Sequence, residues 1–182
     1  MKLTRTLQLE GNMTYGTTLK EALKAMRVDQ ADIAEETHYS HQTVSAWAND
    51  TRNISAETLL KVASHLDYPD LYLESAVKAT DGVAIPVLDG DYIDRHPAAM
   101  KDLVQVETNE ALDKMAQASM IKPIRSATQS DKEEMKRVIK ELLDAACSMI
   151  NMIAVLCREY EFSMKDIYKS WYVTLKARRL KK

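Results

Sequence analysis

Apolar positions recur at helical spacing along most of the chain, and runs of polar or turn-forming residues divide the recurrence into separate stretches. Leu19, Ala22, Leu23 and Met26 stand at i, i+3, i+4 and i+7, the stripe of a helix with one buried face. Ile33 and Ala34 mark a short second helix. Val44 and Trp47, at i and i+3, mark a third, whose opposite face is left to His41, Gln42, Ser45 and Ala46. Leu59, Val62, Ala63 and Leu66 give a fourth, and Tyr68-Pro69-Asp70 turns into a short fifth through Leu71 and Leu73. Asp29, Ser40 and Ser55 stand just before the second, third and fourth stretches, where a side-chain oxygen can accept from free backbone N–H groups at a helix start.

The pattern breaks between Thr80 and Pro97, where Asp81-Gly82, Pro86, Asp89-Gly90-Asp91 and Pro97 surround one apolar run, Val83 to Leu88, and predict a linker or small hairpin. Asp89, Asp91, Asp94 and His96 there read as turn formers, because the glycines do not fit a calcium loop and no later Glu completes one. Helical spacing then resumes: Ala98 to Met120, Asp131 to Tyr160 with a capping box from Ser130 and Glu133, and Met164 to Arg179 with Ser163 and Asp166 at its start. The middle helix carries two adjoining apolar rows. One is Met135, Val138, Leu142, Ala145, Met149, Met152 and Leu156, and the other is Ile139, Leu143, Ala146, Ile150 and Ile153. A face that wide needs cover on two sides, one from its own chain and one from a second subunit. Met135, Val138, Leu142, Met149, Ile153 and Leu156 are the expected oligomerisation residues. The first 13 residues read as an arm or a short strand.

The stretch from Gln30 to Trp47 is thus two short helices about a tight turn, a helix-turn-helix. With its second helix in the major groove, first-turn side chains reach base edges: Gln42 pairs with adenine N6 and N7, His41 reaches guanine or a phosphate, and Thr43, Ser45 and Ala46 come next, Ala46 suiting a thymine methyl. From Tyr15 to Glu74 the chain resembles the DNA-binding domain of the lambda-repressor-like (XRE) family. The likeness is carried by Gln30-Ala31-Asp32-Ile33-Ala34, by Ser40 to Trp47 and by Ser55 to Ala63, three blocks in order at the right separations. It departs at His38 and Asp50, where the family has Gly, at Ala48, where Glu is common, and at Ile54, where Pro is common. The resemblance implies a five-helix DNA-binding fold in which Gln30, Ser40 and Asn49 clamp phosphates and Arg52 adds a charged contact.

Charge is segregated along the 182 residues. Residues 12 to 75 hold five Lys or Arg against ten Asp or Glu, an unfavourable balance for a DNA reader, whereas residues 122 to 182 hold 14 against 8, five of the basics in the last seven positions. Phosphate attraction is therefore expected to be shared with the C-terminal part, whose basic tail either touches the DNA backbone or serves solubility. No stretch reaches the ~20 apolar residues of a membrane span, Asp144 and Asn151 interrupting the richest one, and no signal-peptide core follows Met1, so a cytoplasmic protein is expected. Cys147 and Cys157 fall about 15 Å apart on one helix, too far to bridge, and read as buried free thiols. A self-cleaving Ser-Lys domain, which ends some repressors of this type, is excluded by the scarcity of glycine and the helical periodicity after residue 80. No metal-spaced cluster, phosphate loop or catalytic pair appears, so neither an enzyme nor a cofactor is expected.

The expected architecture is mainly α: a DNA-binding domain over residues 1 to 79, a linker over 80 to 97 and a helical oligomerisation region over 98 to 182. The expected function is a sequence-specific regulator, a phage or mobile-element repressor or activator, that engages a two-half-site operator in double-stranded DNA as a dimer or tetramer. Two alternatives stand beside it: an antitoxin whose C-terminal helices cover a protein partner, and an interaction module that has lost DNA binding.

Overall fold

The computed structural model describes residues 15–119 and 124–182, and the expected N-terminal arm lies outside them. Eight α-helices follow in order: α1 (Tyr15–Met26), α2 (Gln30–Thr37), α3 (His41–Ala48), α4 (Ala56–Leu66), α5 (Pro69–Ala79), α6 (Pro97–Gln117), α7 (Gln129–Glu159) and α8 (Met164–Ala177), with one 3-10 turn at Ile124–Ser126. No strand occurs among the described residues.

Helices α1 to α5 close around one core. Leu19 and Ala22 from α1, Ile33 from α2, Val44 and Trp47 from α3, Leu59 and Val62 from α4 and Leu71 from α5 are all at most 4% exposed. Burial of each large apolar side chain contributes about 1.5–3 kcal/mol, which is what holds five short helices together. Asp29, Ser40 and Ser55 are N-caps, as their spacing predicts, accepting from the backbone of Asp32, Thr43 and Thr58 respectively. Asp32 returns the contact to the Asp29 amide and completes a capping box.

The C-terminal part is built differently. Helix α6 packs along α7, and α7 docks on α5 through Leu73, Ala154 and Cys157, joined by Met164 from the start of α8. A buried ion network fastens that contact. The Asp70 carboxylate, 3% exposed, receives both terminal nitrogens of Arg95 at 2.7 Å, and Arg158 from α7 stands 3.6 Å away. The connection over residues 80–97 is not a hairpin. Two of its backbone polar groups go to Asn151 on α7: the Leu88 amide donates to Asn151 Oδ1 at 2.8 Å, and Asn151 Nδ2 donates to the Pro86 carbonyl at 2.9 Å. Asn151, which interrupts the apolar run of α7, is fully buried and straps the linker down. His96 Nδ1 caps α6 by accepting from the Ala98 amide, and the Asp94 carboxylate accepts from the His96 amide.

Three expected boundaries move. Helix α6 ends at Gln117, short of Met120, which lies outside the described residues, and α8 ends at Ala177, with Arg178 as its C-cap. Helix α7 starts earlier than expected, because Thr128 and Asp131 form the capping box that the sequence offered to Ser130 and Glu133. Both pairs have the required spacing. Glu133 is engaged by Gln129 and Lys136 along the helix face instead. Cys157 is buried and Cys147 half-buried, and neither is bridged.

Candidate nucleic-acid interface

The turn between α2 and α3 fixes the angle of the motif. His38 takes up the left-handed conformation at φ 59°, ψ 30°, and its amide bonds the carbonyls at the end of α2. The Tyr39 ring then meets the edge of Trp47 at 4.9 Å between centroids, so the turn is packed from beneath by α3 itself. With Val44, Trp47 and Ala48 buried, the side of α3 that carries His41 and Gln42 faces solvent, and Ser45 and Ala46 lie half-buried beside them.

Thr43, expected among the base contacts, is turned inward. Its hydroxyl shares a hydrogen bond with Ser40 Oγ at 3.0 Å and accepts from Arg52 Nη1 at 3.3 Å. At 9% exposure it has little surface to offer a base edge, and its geometric duty is to hold Ser40 and Arg52 together at one end of α3. Asn49 caps the other end, Nδ2 donating to the Ser45 carbonyl at 2.9 Å, and its side chain is exposed. Arg52 is likewise exposed.

Gln30 opens α2 and shares a shallow surface concavity with Lys20, Lys24, Arg27 and Asp29. Three of the five basic residues between positions 12 and 75 are therefore gathered at the start of α2, beside a residue expected to clamp phosphate. The net acidity of the domain hides this local patch. Lys20, Lys24 and Arg27 recur at i, i+4 and i+7, so the spacing in the sequence carries the stripe even though the net charge does not reveal it.

Gly16 and Asp50 were also missed as a pair. The Asp50 carboxylate accepts from the Gly16 amide at 2.9 Å and so caps α1 from the loop after α3. A Cβ on Gly16 would lie 2.5 Å from the Ala48 carbonyl oxygen, so only glycine lets α1 cross the end of α3 this closely. Asp50 itself is left-handed, at φ 53°. The departure from the family pattern at Asp50 therefore carries a contact that couples α1 to the recognition helix.

The expected oligomerisation residues divide. Val138 is buried within its own chain, and Ile153 is half-buried against the α5 contact. Met135 and Leu156 are half-buried, while Leu142 and Met149 are each 40% exposed. Val138 is thus spent on packing within its own chain.

No helix among the described residues is long and apolar enough to cross a membrane. Neither a curated protein nor a solved structure matches the chain. Residues 19–73 match the family model for helix-turn-helix domains, a stretch that runs from the first turns of α1 into α5 and takes in every helix of the N-terminal core. That segment is a helix-turn-helix domain of the lambda-repressor-like family, a DNA-binding module of transcription regulators.

Proposed function

We propose that the chain is a sequence-specific transcription regulator of a phage or mobile element that reads a two-half-site operator as an oligomer. The observation that carries this reading is the exposed first turn of α3, where Gln42 and His41 project from a helix immobilised by Val44 and Trp47. Gln42 reads an adenine edge and His41 a guanine or a phosphate, with Ser45 and Ala46 next in reach. Gln30, Ser40, Asn49 and Arg52 set the register on the backbone, and Lys20, Lys24 and Arg27 supply counter-charge around Gln30. The C-terminal helices join subunits, so that two half-sites one DNA turn apart are engaged together.

Random-site selection with the full chain, followed by titration of Gln42→Ala on the selected and on random DNA, tests the reading. The substitution is expected to cost roughly 1–3 kcal/mol on the selected site and almost nothing on random DNA. Arg52→Ala weakens both kinds alike. Equal losses for Gln42→Ala on both would remove base reading from Gln42.

An antitoxin is the second reading, favoured by the uncovered apolar face of α8, where Ile167, Trp171 and Tyr172 are each more than 40% exposed. Co-purification of a stoichiometric small protein with the full chain would support it.

A further inference from the structure

Helices α5 and α8 approach each other without closing. Leu73 and Met164 belong to the buried cluster at their contact. Beside them stand the rings of Tyr72, Tyr168 and Tyr172, and a groove of about 350 Å³ is left between the two helices. Ala76, small and exposed, adds no side chain that could fill it. Small-molecule sites run from about 300 to 1,000 Å³ and share walls that are mainly aromatic and aliphatic, so the groove has the size and the lining of one.

The charge around the groove has one sign. Its lining includes Lys165 and Lys169 and no carboxylate. The Lys165 ammonium is held by neutral groups, Ser64 Oγ at 2.8 Å and the Ser64 carbonyl at 3.5 Å. Its charge is not cancelled there, and an ammonium has a third N–H to give. Lys169 reaches Asp166 at 2.8 Å in a pair whose members are both well exposed. Such pairs are weak, so Lys169 can turn to another anion. Asp67, at the Tyr72 end, accepts at one oxygen from the Tyr72 hydroxyl and from the Lys165 amide. Lys181 adds a further cation, 5.1 Å from the centre of the Tyr172 ring.

These features select a ligand. Three tyrosine rings suit an aromatic body, because edge-to-face and offset contacts between rings add to simple burial. The ammonium groups favour a carboxylate at one end, since a hydrogen bond assisted by charge is about twice as strong as a neutral one. A nucleotide fits poorly, because its sugar and phosphates would lose water to a wall made mostly of carbon.

We infer that the groove between α5 and α8 is a binding site for a small aromatic carboxylate, its ring among Tyr72, Tyr168 and Tyr172 and its carboxylate on Lys165 and Lys169. The walls come from both parts of the chain, α5 from the DNA-binding domain and α8 from the C-terminal region, so a bound ligand adds a contact between them. The site goes beyond the regulator proposed above and does not depend on how α3 reads DNA.

The test is calorimetric titration of the full chain, without DNA, using 2-naphthoate and its neutral counterpart 2-naphthamide. Naphthoate is expected to bind once per chain with a Kd of about 0.1 mM or below, within reach of a ligand of that size. The amide should bind at least about tenfold more weakly, having lost the charge-assisted contact. Lys165→Met combined with Lys169→Met should bring naphthoate down to the level of the amide and leave the amide within about threefold of its wild-type affinity. Ala76→Trp, which puts an indole at the groove, should weaken both probes at least about tenfold. All three positions are exposed, so the variants should fold, and thermal denaturation checks that they do.

No saturable binding of naphthoate up to about 1 mM overturns the site. Binding that Ala76→Trp leaves unchanged places the ligand elsewhere and overturns it as well. Equal affinities for naphthoate and naphthamide overturn the carboxylate class. Self-association of the wild-type chain that Ala76→Trp abolishes, read by sedimentation, assigns the groove to a second copy instead. None of these results touches base reading by α3, which the Gln42→Ala titration decides separately.

Discussion

Between Leu19 and Leu71 most apolar side chains of α1 to α5 meet one another, and apart from Met26, Tyr39 and Leu60 what remains outside is mainly polar: His41, Gln42, Asn49 and Arg52 on one side, Lys20, Lys24 and Arg27 on another. Along α7, and again along α8, the apolar side chains are divided instead, one share buried against α5 and α6 and the other left at the surface as Ile139, Leu143, Trp171 and Val173. The first region is complete as a folded unit and offers hydrogen-bonding groups to a ligand. The second keeps an apolar share that nothing within the described residues covers. A helix-turn-helix of this size reads only a few base pairs, and the proposed oligomer would use the second region to hold another copy at a fixed distance.

Cutting the chain between the two regions has the largest expected effect. A fragment ending at Thr80 keeps the whole α1 to α5 core and should fold, yet it loses the proposed subunit contact and the basic C-terminal tail. A tethered second half-site commonly raises affinity 10²–10⁴-fold, so the fragment should bind the selected operator that much more weakly than the full chain. With few cations it should also show a shallower salt dependence. Titrations of both proteins at two salt concentrations decide the matter. Affinities within threefold at both salts would assign the helical half to a partner other than DNA-bound association.

The seam between the regions is the next place to press. Asp70 is almost fully buried and is neutralised by Arg95 from the linker and Arg158 from α7. Removing one member of such a network costs about 3–5 kcal/mol, since a guanidinium is left buried without its counter-charge. Asp70→Ala in the full chain is therefore expected to lose about 3 kcal/mol in urea denaturation, the lower end because Arg95 and Arg158 retain some contact with water. A loss below about 1 kcal/mol would show that the apolar contact of Leu73, Ala154 and Met164 holds the seam unaided.

What could be read from the sequence follows the range of the interactions. Helix positions, their caps at Asp29, Ser40 and Ser55, and the left-handed turn at His38 depend on neighbours within a turn or two, and the spacing contains them. The exposed face of α3 could be drawn for the same reason, except for Thr43, whose helical angle lies at the boundary between the faces and is settled by its burial and a hydrogen bond from Arg52. The cap of α7 was missed because two candidate boxes overlapped and nothing local chose between them. Asn151 to the linker, Asp50 to Gly16 and Asp70 to Arg158 join residues tens of positions apart, and their types announce only polarity. The sequence marks Asn151 as an interruption of an apolar run, Asp50 as a departure from the family pattern and Asp70 as part of a turn, and each is a fastener.

The smallest predicted effect lies on the N-terminal side of the same seam and depends on pH. Glu74 on α5 is largely buried: Thr18 from α1 donates to its Oε1 at 2.5 Å, and its Oε2 has no hydrogen-bond partner among the described residues. Burial pushes its carboxyl up to about 8, the Thr18 hydrogen bond opposes this, and the negative charges of Asp70, Asp89 and Asp50 reinforce it. The folded protein therefore keeps a proton that the unfolded chain releases near pH 4.3. Where the folded state binds the extra proton, stability falls as pH rises, so this group's contribution is fully present below about pH 4.5 and is lost by pH 8. Between pH 5 and pH 8 the loss should be about 2 kcal/mol, less than the full linkage value because water reaches part of the carboxyl. Glu74→Gln keeps the Thr18 contact, carries no charge and should flatten that slope in urea titrations at several pH values. The fragment ending at Thr80 lacks Asp89 and should show a shallower slope than the full chain. A slope unchanged by Glu74→Gln would place the pH dependence on other groups and leave Glu74 as a polar contact between α1 and α5.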